Sequence, residues 1–214
     1  MNITEPEFVE YIGEISESSQ LSETESAIFQ EMEAYAKENR FPIIGQVAGR
    51  FLRQLAMLTN AINIFEMGSG YGYSAMWLSG GMAKDGRIIC TDNSEENKNL
   101  ALAHFEKAGR ANMLEFHVGN ALEIINKSDG LFDIILNDID KEQYPEAFDL
   151  AMTRLRRGGV FITDNVLWSG RIFDSKPTES TKGIVEFNRK LFASDGIFST
   201  ILPIHDGLGM AIKL

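Results

Sequence analysis

Two segments of the chain place oxygen and nitrogen donors directly after short apolar runs. Phe132–Asn137 leads into Asp138-Ile139-Asp140-Lys141, and Gly159–Thr163 leads into Asp164-Asn165. If these runs are neighbouring strands of a parallel sheet, their carboxyl ends lie about 5 Å apart. Asp138, Asp164 and Asn165 then converge as three oxygen donors. Hard oxygen donors without His or Cys suit Mg²⁺, Mn²⁺ or Ca²⁺ rather than Zn²⁺. Lys141 would stand on the rim of such a site, where a nearby cation favours the neutral amine and makes it usable as a base. Taken singly, each Asp is as well explained as a cap or turn former after its strand. The combination of two Asp, an Asn and a Lys on adjacent strand ends is what argues for a site.

A third segment, Glu66-Met67-Gly68-Ser69-Gly70-Tyr71-Gly72-Tyr73-Ser74, follows an apolar run and precedes a helical one. Glycines at a strand-to-helix turn let the backbone approach a ligand, and the helix start offers free N–H groups. Asp92 ends the next apolar run, where an acid can hold a ribose diol. A dinucleotide fits poorly, because Tyr73 stands where G-x-G-x-x-G needs its third glycine. Glu66 would also put a carboxylate beside the pyrophosphate. A carboxylate at that place suits a ligand with an amino group or a positive centre, and S-adenosylmethionine has both, plus a ribose for Asp92. A phosphate-binding loop is excluded, since no Gly-Lys-Ser/Thr follows.

The elements that must position these residues are legible as alternating patterns. The first forty residues read as helical, with a capping box at Ser22-Glu23-Thr24-Glu25 followed by Ile28, Met32, Tyr35 and Ala36 on one face. Pro42 closes that element. Val47, Phe51, Leu55 and Leu58 mark one face of a second helix. After Asn60, strands are expected at Asn63–Glu66, Arg87–Thr91, Leu114–Val118, Phe132–Asn137 and Gly159–Thr163. Between them lie helices from about Ser74, over Ser94–Lys107, from Ala121, and over Pro145–Arg157. A helix near Lys182–Ser194 and strands Phe198–Leu202 and Gly209–Lys213, joined by an Asp206-Gly207 turn, complete the pattern. Buried strands alternating with helices argue for an α/β, doubly wound, mostly parallel sheet, whose ligands bind outside the strands' carboxyl ends.

The 214 residues carry a net charge of −11 and a single cysteine, Cys90. One domain over 1–214 is expected at this length. The lone Cys excludes an internal disulfide framework and fits a reducing, cytoplasmic compartment. No membrane partner is expected, because no apolar run reaches the length of a span. The acidic start, interrupted by Pro6, is unlike a signal or transit peptide. The negative charge disfavours indiscriminate nucleic-acid binding.

Together the segments resemble the cation-dependent O-methyltransferases, the group containing catechol and caffeoyl-coenzyme A O-methyltransferases and small bacterial relatives. The matching residues are Glu66–Ser74, Asp92, Gly119-Asn120-Ala121-Leu122-Glu123, Asp138–Tyr144, Asp164–Gly170 and Asp206–Gly209, over roughly residues 30 to 214. The resemblance implies a Rossmann-like class I methyltransferase with a seven-stranded sheet, an antiparallel last strand and helices on both faces, assembled as a homodimer. It implies that Glu66, Gly68 and Ser74 lie along the methionine part of S-adenosylmethionine, that Asp92 holds the ribose, and that Asn120-Ala121 lies near the adenine. Gly70, Tyr71, Asn93 and Asp138 are counted with them as cofactor contacts. Asp138, Asp164 and Asn165 become the ligands of Mg²⁺ (or Mn²⁺ or Ca²⁺), and Lys141 the base. Residues 1–60 are expected to help shape the acceptor pocket.

Two positions depart from the family pattern. Asn120 stands where Asp is usual, and His205 where Gly commonly precedes the Asp-Gly turn. The implied reaction is methyl transfer to a hydroxyl of a small catechol-like acceptor. The alternative acceptor is 5-hydroxyuridine in tRNA, because Met32–Asn39 with Pro42-Ile43 resembles bacterial relatives acting there. Other residues have plainer readings. His104 and His117 read as surface or core-edge residues, and His205 as loop filler or pocket lining. Trp168 and Tyr144 either stack on a planar acceptor or pack in the core. Arg154, Arg156 and Arg157 suit a helix C-terminus, and Cys90 reads as a small buried hydrophobe.

Overall fold

The apolar runs beyond Asn60 form a sheet because side chains on both faces of each central strand find a core. In this computed structural model, which describes residues 6–16 and 20–214, the strands are β1 (Asn63–Met67), β2 (Arg87–Asp92), β3 (Leu114–Val118), β4 (Phe132–Asn137), β5 (Leu155–Thr163), β6 (Ile197–Leu202) and β7 (Leu208–Lys213). They form one seven-stranded sheet in the order β3-β2-β1-β4-β5-β7-β6. The first five are parallel, and β7 runs antiparallel to both β5 and β6. The helices are α1 (Pro6–Ser16), α2 (Glu23–Asn39), α3 (Gly45–Leu58), α4 (Tyr73–Ser79), α5 (Glu95–Lys107), α6 (Ala121–Lys127), α7 (Tyr144–Arg154) and α8 (Glu179–Ala193). The expected helical reading is met by α1 over Pro6–Ser16, while its part over residues 1–5 and 17–19 lies outside the described residues.

Two cores sandwich the sheet. On one face Ile64, Ile134, Leu136 and Ile162 pack with Met32, Leu52, Trp77 and Phe105 from α2–α5. On the other, Phe65, Ile135 and Phe161 pack with Ile125, Phe148 and Phe187 from α6–α8. Each such side chain contributes about 1.5–3 kcal/mol when fully buried, so both faces are needed to hold the strands flat. Strand order reverses between β1 and β4, and the crevice of an open α/β sheet lies at such a switch. There the Asp138 N–H donates to the Met67 carbonyl at 2.9 Å, and the Asp164 N–H to the Asn137 carbonyl at 3.2 Å. The ends of β1, β4 and β5 are thereby stitched together.

The capping box forms as expected. The Ser22 hydroxyl accepts from the Glu25 N–H at 3.2 Å, and the Glu25 carboxylate accepts from the Ser22 N–H at 3.1 Å. Glu25 also binds Arg53 and Arg110, tying α2 to α3 and to the turn that follows α5. Desolvation opposes its ionisation, but the Arg110 hydrogen bond, the Ser22 N–H and Arg53 together hold it down at about 2. The buried stripe of α3 differs from the expected one. Ala48, Gly49, Leu52, Leu55 and Ala56 are buried, while Leu58 is 82% exposed. The small residues win because Trp77 of α4 lies against the helix; a Cβ on Gly49 would stand 2.3 Å from its ring. The helix before β5 stops at Arg154, so only that arginine sits at a helix end. Arg156 and Arg157 already belong to β5, where Arg156 pairs with Asp133 of β4. His104 is buried rather than peripheral, 3.8 Å from Glu31, and burial lowers its pKa. His117 is exposed and paired with Glu115 at 2.7 Å.

Candidate active site at the carboxyl ends of the strands

A cleft of about 710 Å³ opens over the ends of β1, β2, β4 and β5. It is lined by Gly68, Asp92, Asn93, Asn120, Ala121, Asp138, Lys141, Asn165 and Trp168, among others. A smaller space of about 190 Å³, lined by Gly70, Tyr71 and Ser74, shares Pro42, Gly68, Asp92 and Asp138 with it. A separate depression of about 510 Å³ near Ile172 and α8 holds none of the residues singled out in the sequence.

The glycine turn forms the floor. Gly68 is left-handed at φ 80°, and a Cβ there would stand 2.3 Å from the Asp138 carbonyl oxygen, so only glycine lets β1 and β4 end this close together. The turn does not present a row of free N–H groups. Those of Gly68 and Ser69 donate to the Thr91 carbonyl, and that of Gly70 to the Asp92 carboxylate. The turn is braced on β2, so a ligand's approach depends on the missing side chain. Asp92 is itself fixed by the Ser94 N–H and the Asn97 amide, each at 2.9 Å.

Glu66 lies beneath this floor, 1% exposed. Its carboxylate accepts from the Ser74 hydroxyl and, at 3.5 Å, from Cys90. Desolvation pushes it up to about 7, partly offset by those donors. Cys90 is therefore more than a packing residue: burial raises its thiol pKa, and Glu66 adds to the rise. The Tyr71 hydroxyl points away from the cleft, donating to the Met32 carbonyl at 2.9 Å. Asn120 caps α6, its side-chain oxygen accepting from the N–H groups of Leu122 and Glu123.

The acidic corner is assembled from β4, β5 and the turn before β7. Desolvation raises the pKa of Asp138, with Lys141 opposing and Asp164 adding to the rise. Lys141 is not on the rim as expected. Its side chain is 13% exposed, with Nζ 2.6 Å from Asp138 Oδ1 and 5.0 and 5.9 Å from the Tyr144 and Trp168 ring centres. Tyr144 is buried, and its hydroxyl donates to the Asp164 carbonyl at 3.0 Å, so it positions the corner from below. Asp164 is 2% exposed and accepts from the Asn165 N–H at 2.7 Å. Asn165 is left-handed at φ 58°, a conformation Asn tolerates better than most residues.

Two carboxylates and an amide at neighbouring strand ends are the donor chemistry a hard divalent cation takes. Both carboxylates face a basic group, Lys141 on Asp138 and His205 on Asp164, and the hydrogen bond to Asp164 raises the His205 pKa, so the corner favours positive charge. Among the described residues, no three His, Cys, Asp or Glu side chains already form a metal cage.

Sequence reasoning missed two contributions. The loop after α2 lines the smaller space through Phe41–Ile44, beside the glycine turn, although the sequence placed residues 1–60 only at the acceptor pocket. Gly183 of α8 lies against the loop that carries Lys141: a Cβ there would stand 2.3 Å from the Lys141 carbonyl oxygen. No local signal ties that glycine to a lysine so far away in the chain.

A protein-family model described as O-methyltransferase matches residues 17–214. The chain belongs to that family. It is 33% identical over 174 residues to a catechol O-methyltransferase of Niastella koreensis, covering 77% of this chain and 79% of that one. It is 32% identical over 179 residues to caffeoyl-CoA O-methyltransferase 1 of Arabidopsis thaliana, covering 78% of this chain and 69% of the relative. The structure is similar to that of an O-methyltransferase from Bacillus cereus in complex with SAH, with TM-score 0.82, 27% identity and 96% of each chain covered. The expected seven-stranded, Rossmann-like fold and the expected S-adenosylmethionine-dependent O-methyltransferase are borne out. Among the described residues, no helix of this O-methyltransferase is long and apolar enough to cross a membrane.

Proposed function

We propose that this chain transfers a methyl group from S-adenosylmethionine to a hydroxyl of a small catechol-like acceptor, with a divalent cation at the acidic corner. The observation that carries this reading is the pairing of Asp138 with Lys141 beside the buried Asp164, on the side of the cleft facing the glycine turn. Asp138, Asp164 and Asn165 would hold the cation, Mg²⁺ or Mn²⁺ being the natural choices for oxygen donors. When bound, it supplies charge stabilisation for an oxyanion at neutral pH.

Lys141 takes the hydroxyl proton at Nζ. The Tyr144 and Trp168 rings stand 5.0 and 5.9 Å from that amine. The acceptor oxygen forms its bond to the methyl carbon as the carbon–sulfur bond breaks, and the sulfur keeps that electron pair. Gly68 and Asp92 position the donor, with Glu66 supplying negative charge beneath its amino end; Asn93, Asn120 and Ala121 line the side assigned to the ribose and adenine. The Phe41–Ile44 loop and the helices of residues 1–60 form the cap of the acceptor pocket in a single domain. A cytoplasmic homodimer completes the proposal.

The rim favours a small acceptor over tRNA. Asp92, Asp138, Asp140 and Glu142 border the cleft, and a polyanion would need basic contacts there. The test is turnover of a catechol with S-adenosylmethionine, with and without EDTA, alongside tRNA containing 5-hydroxyuridine. Loss on chelation, recovery with Mg²⁺ and an Asp138→Ala variant that mimics chelation are expected. Activity indifferent to EDTA would remove the cation from the mechanism, and methylation of tRNA alone would replace the acceptor.

A further inference from the structure

The rim of the cleft carries a fixed carboxylate that the proposed reaction does not use. Glu142 and Ser180 border the cleft together with Asn165 and Trp168. The Ser180 hydroxyl donates to Glu142 Oε1 at 2.6 Å, although 38 positions separate the two in the chain. The carboxylate also stands on a rigid support. Lys141–Gln143 is a 3₁₀ turn, closed by the Gln143 N–H on the Asp140 carbonyl at 3.0 Å. Helix α8 lies directly against that turn. A Cβ on Gly183 would stand 2.3 Å from the Lys141 carbonyl oxygen and 2.9 Å from the Glu142 Cα. Ser180 belongs to the first turn of the same helix, so backbone packing holds it opposite Glu142 as well.

The charges around the cleft are unbalanced. Asp92, Asp138, Asp140 and Glu142 border it, and among the described residues that do so Lys141 is the single Lys or Arg. That lysine is already engaged by Asp138 at 2.6 Å. Arg171 stacks on Trp168, its guanidinium 5.0 Å from the ring centre, but is not one of the bordering residues. The Ser180 hydrogen bond and its own backbone N–H hold the Glu142 carboxyl below the usual carboxylate range, so it is ionised at neutral pH. We propose that Glu142, positioned by Ser180, selects acceptors by the charge of their side chain. A catechol ending in a protonated amine is favoured, and one ending in a carboxylate is turned away by an unpaired like charge. The inference rests on the catechol reading above, names the class of acceptor within it, and uses no metal ligand. Because Glu142 is exposed, the selection is several-fold rather than absolute, and salt weakens it.

The experiment uses the full chain with S-adenosylmethionine, Mg²⁺ and three catechols that differ at the end of a two-carbon side chain. Dopamine ends in an ammonium, ethylcatechol in a methyl group and dihydrocaffeate in a carboxylate. The wild type should show kcat/KM falling in that order, with dopamine roughly tenfold above dihydrocaffeate. The difference should lie in KM rather than kcat, and it should shrink as KCl is raised toward about 1 M. Glu142→Gln keeps the size of the side chain and an oxygen for Ser180, and should reduce the dopamine-to-dihydrocaffeate ratio to about twofold or less. Ser180→Ala leaves the charge but frees it, and should give an intermediate ratio. Matching melting temperatures would show that both variants fold. Equal kcat/KM for the three catechols, or a preference for dihydrocaffeate, would overturn the role of Glu142 and leave the catechol reading standing. So would a wild-type ratio kept in Glu142→Gln, because a merely structural residue would not change the order of acceptors. Methylation of none of the three would overturn the catechol reading as well.

Discussion

The two halves of the cleft meet at Asp138 but stabilise their carboxylates in opposite ways. On the β1–β2 side, Asp92 is held by backbone and amide N–H groups, and Glu66 by a hydroxyl and a thiol. All of these partners are neutral. Buried with neutral donors only, Glu66 sits near pKa 7 and gains most from a ligand that brings its own positive charge. On the β4–β5 side, Asp138 is ion-paired with Lys141, and Asp164 is hydrogen-bonded to His205, whose pKa that hydrogen bond raises. On the proposed reading, the first half receives a cationic organic group and the second holds carboxylates for a metal.

That contrast can be broken most forcefully at Asp138. Asp138→Ala should lower kcat with a catechol by about 10²–10³-fold, the scale seen when one preorganised charge-stabilising group is removed. An equal loss in Glu66→Gln would erase the division between the halves. Next comes the wall they share. Gly68→Ala forces a Cβ to within 2.3 Å of the Asp138 carbonyl at φ 80° and should cost on the order of 3 kcal/mol. Urea unfolding measures that cost, and S-adenosylhomocysteine binding should weaken with it. A stable variant with normal affinity would show that the two strand ends can separate freely.

The effect of Glu66 depends on pH, with a defined sign. Its pKa rises from 4.5 to about 7 on folding, so its contribution to stability is fully present below about pH 4.5 and is lost as pH rises through about 7. Above pH 7 the penalty is on the order of 3 kcal/mol in the ligand-free protein. Glu66→Gln, which cannot ionise, should therefore gain in melting temperature relative to wild type between pH 5 and 8. A constant difference across that range would mean that Glu66 is already ionised. The smallest effect is expected at Gly183. Gly183→Ala pushes α8 against the Lys141 backbone and should reduce kcat by about tenfold, with about 1–3 kcal/mol of destabilisation and little change in donor affinity. Unchanged turnover would release Lys141 from dependence on α8.

Much of this was legible one segment at a time. The strand runs, the capping box at Ser22 and the Glu66–Ser74 turn are local patterns, and each formed close to where its pattern lies. Asp138, Asp164 and Asn165 could be paired on the condition that both segments end neighbouring parallel strands, and the sheet order supplies that adjacency of β4 and β5. The misreadings share one cause, which is that partners distant in sequence decided the outcome. Leu58 looked like part of the buried face of α3, but it is 82% exposed, and Trp77 packs on the small residues instead. Arg156 looked like a helix-terminal cation until Asp133 drew it into β5. The turn's N–H groups looked free until Thr91 of β2 engaged them.

The sequence by itself determined the order of strands and helices, the glycine turn and the identity of the acidic donors. Periodicity and residue chemistry act over a few residues and leave their mark there. Only the tertiary structure decided that Glu66 lies under the floor with a raised pKa, that Lys141 stands beside two aromatic rings, and that His205 faces Asp164. Those outcomes depend on desolvation and on distances between segments tens of residues apart, and no local pattern encodes either.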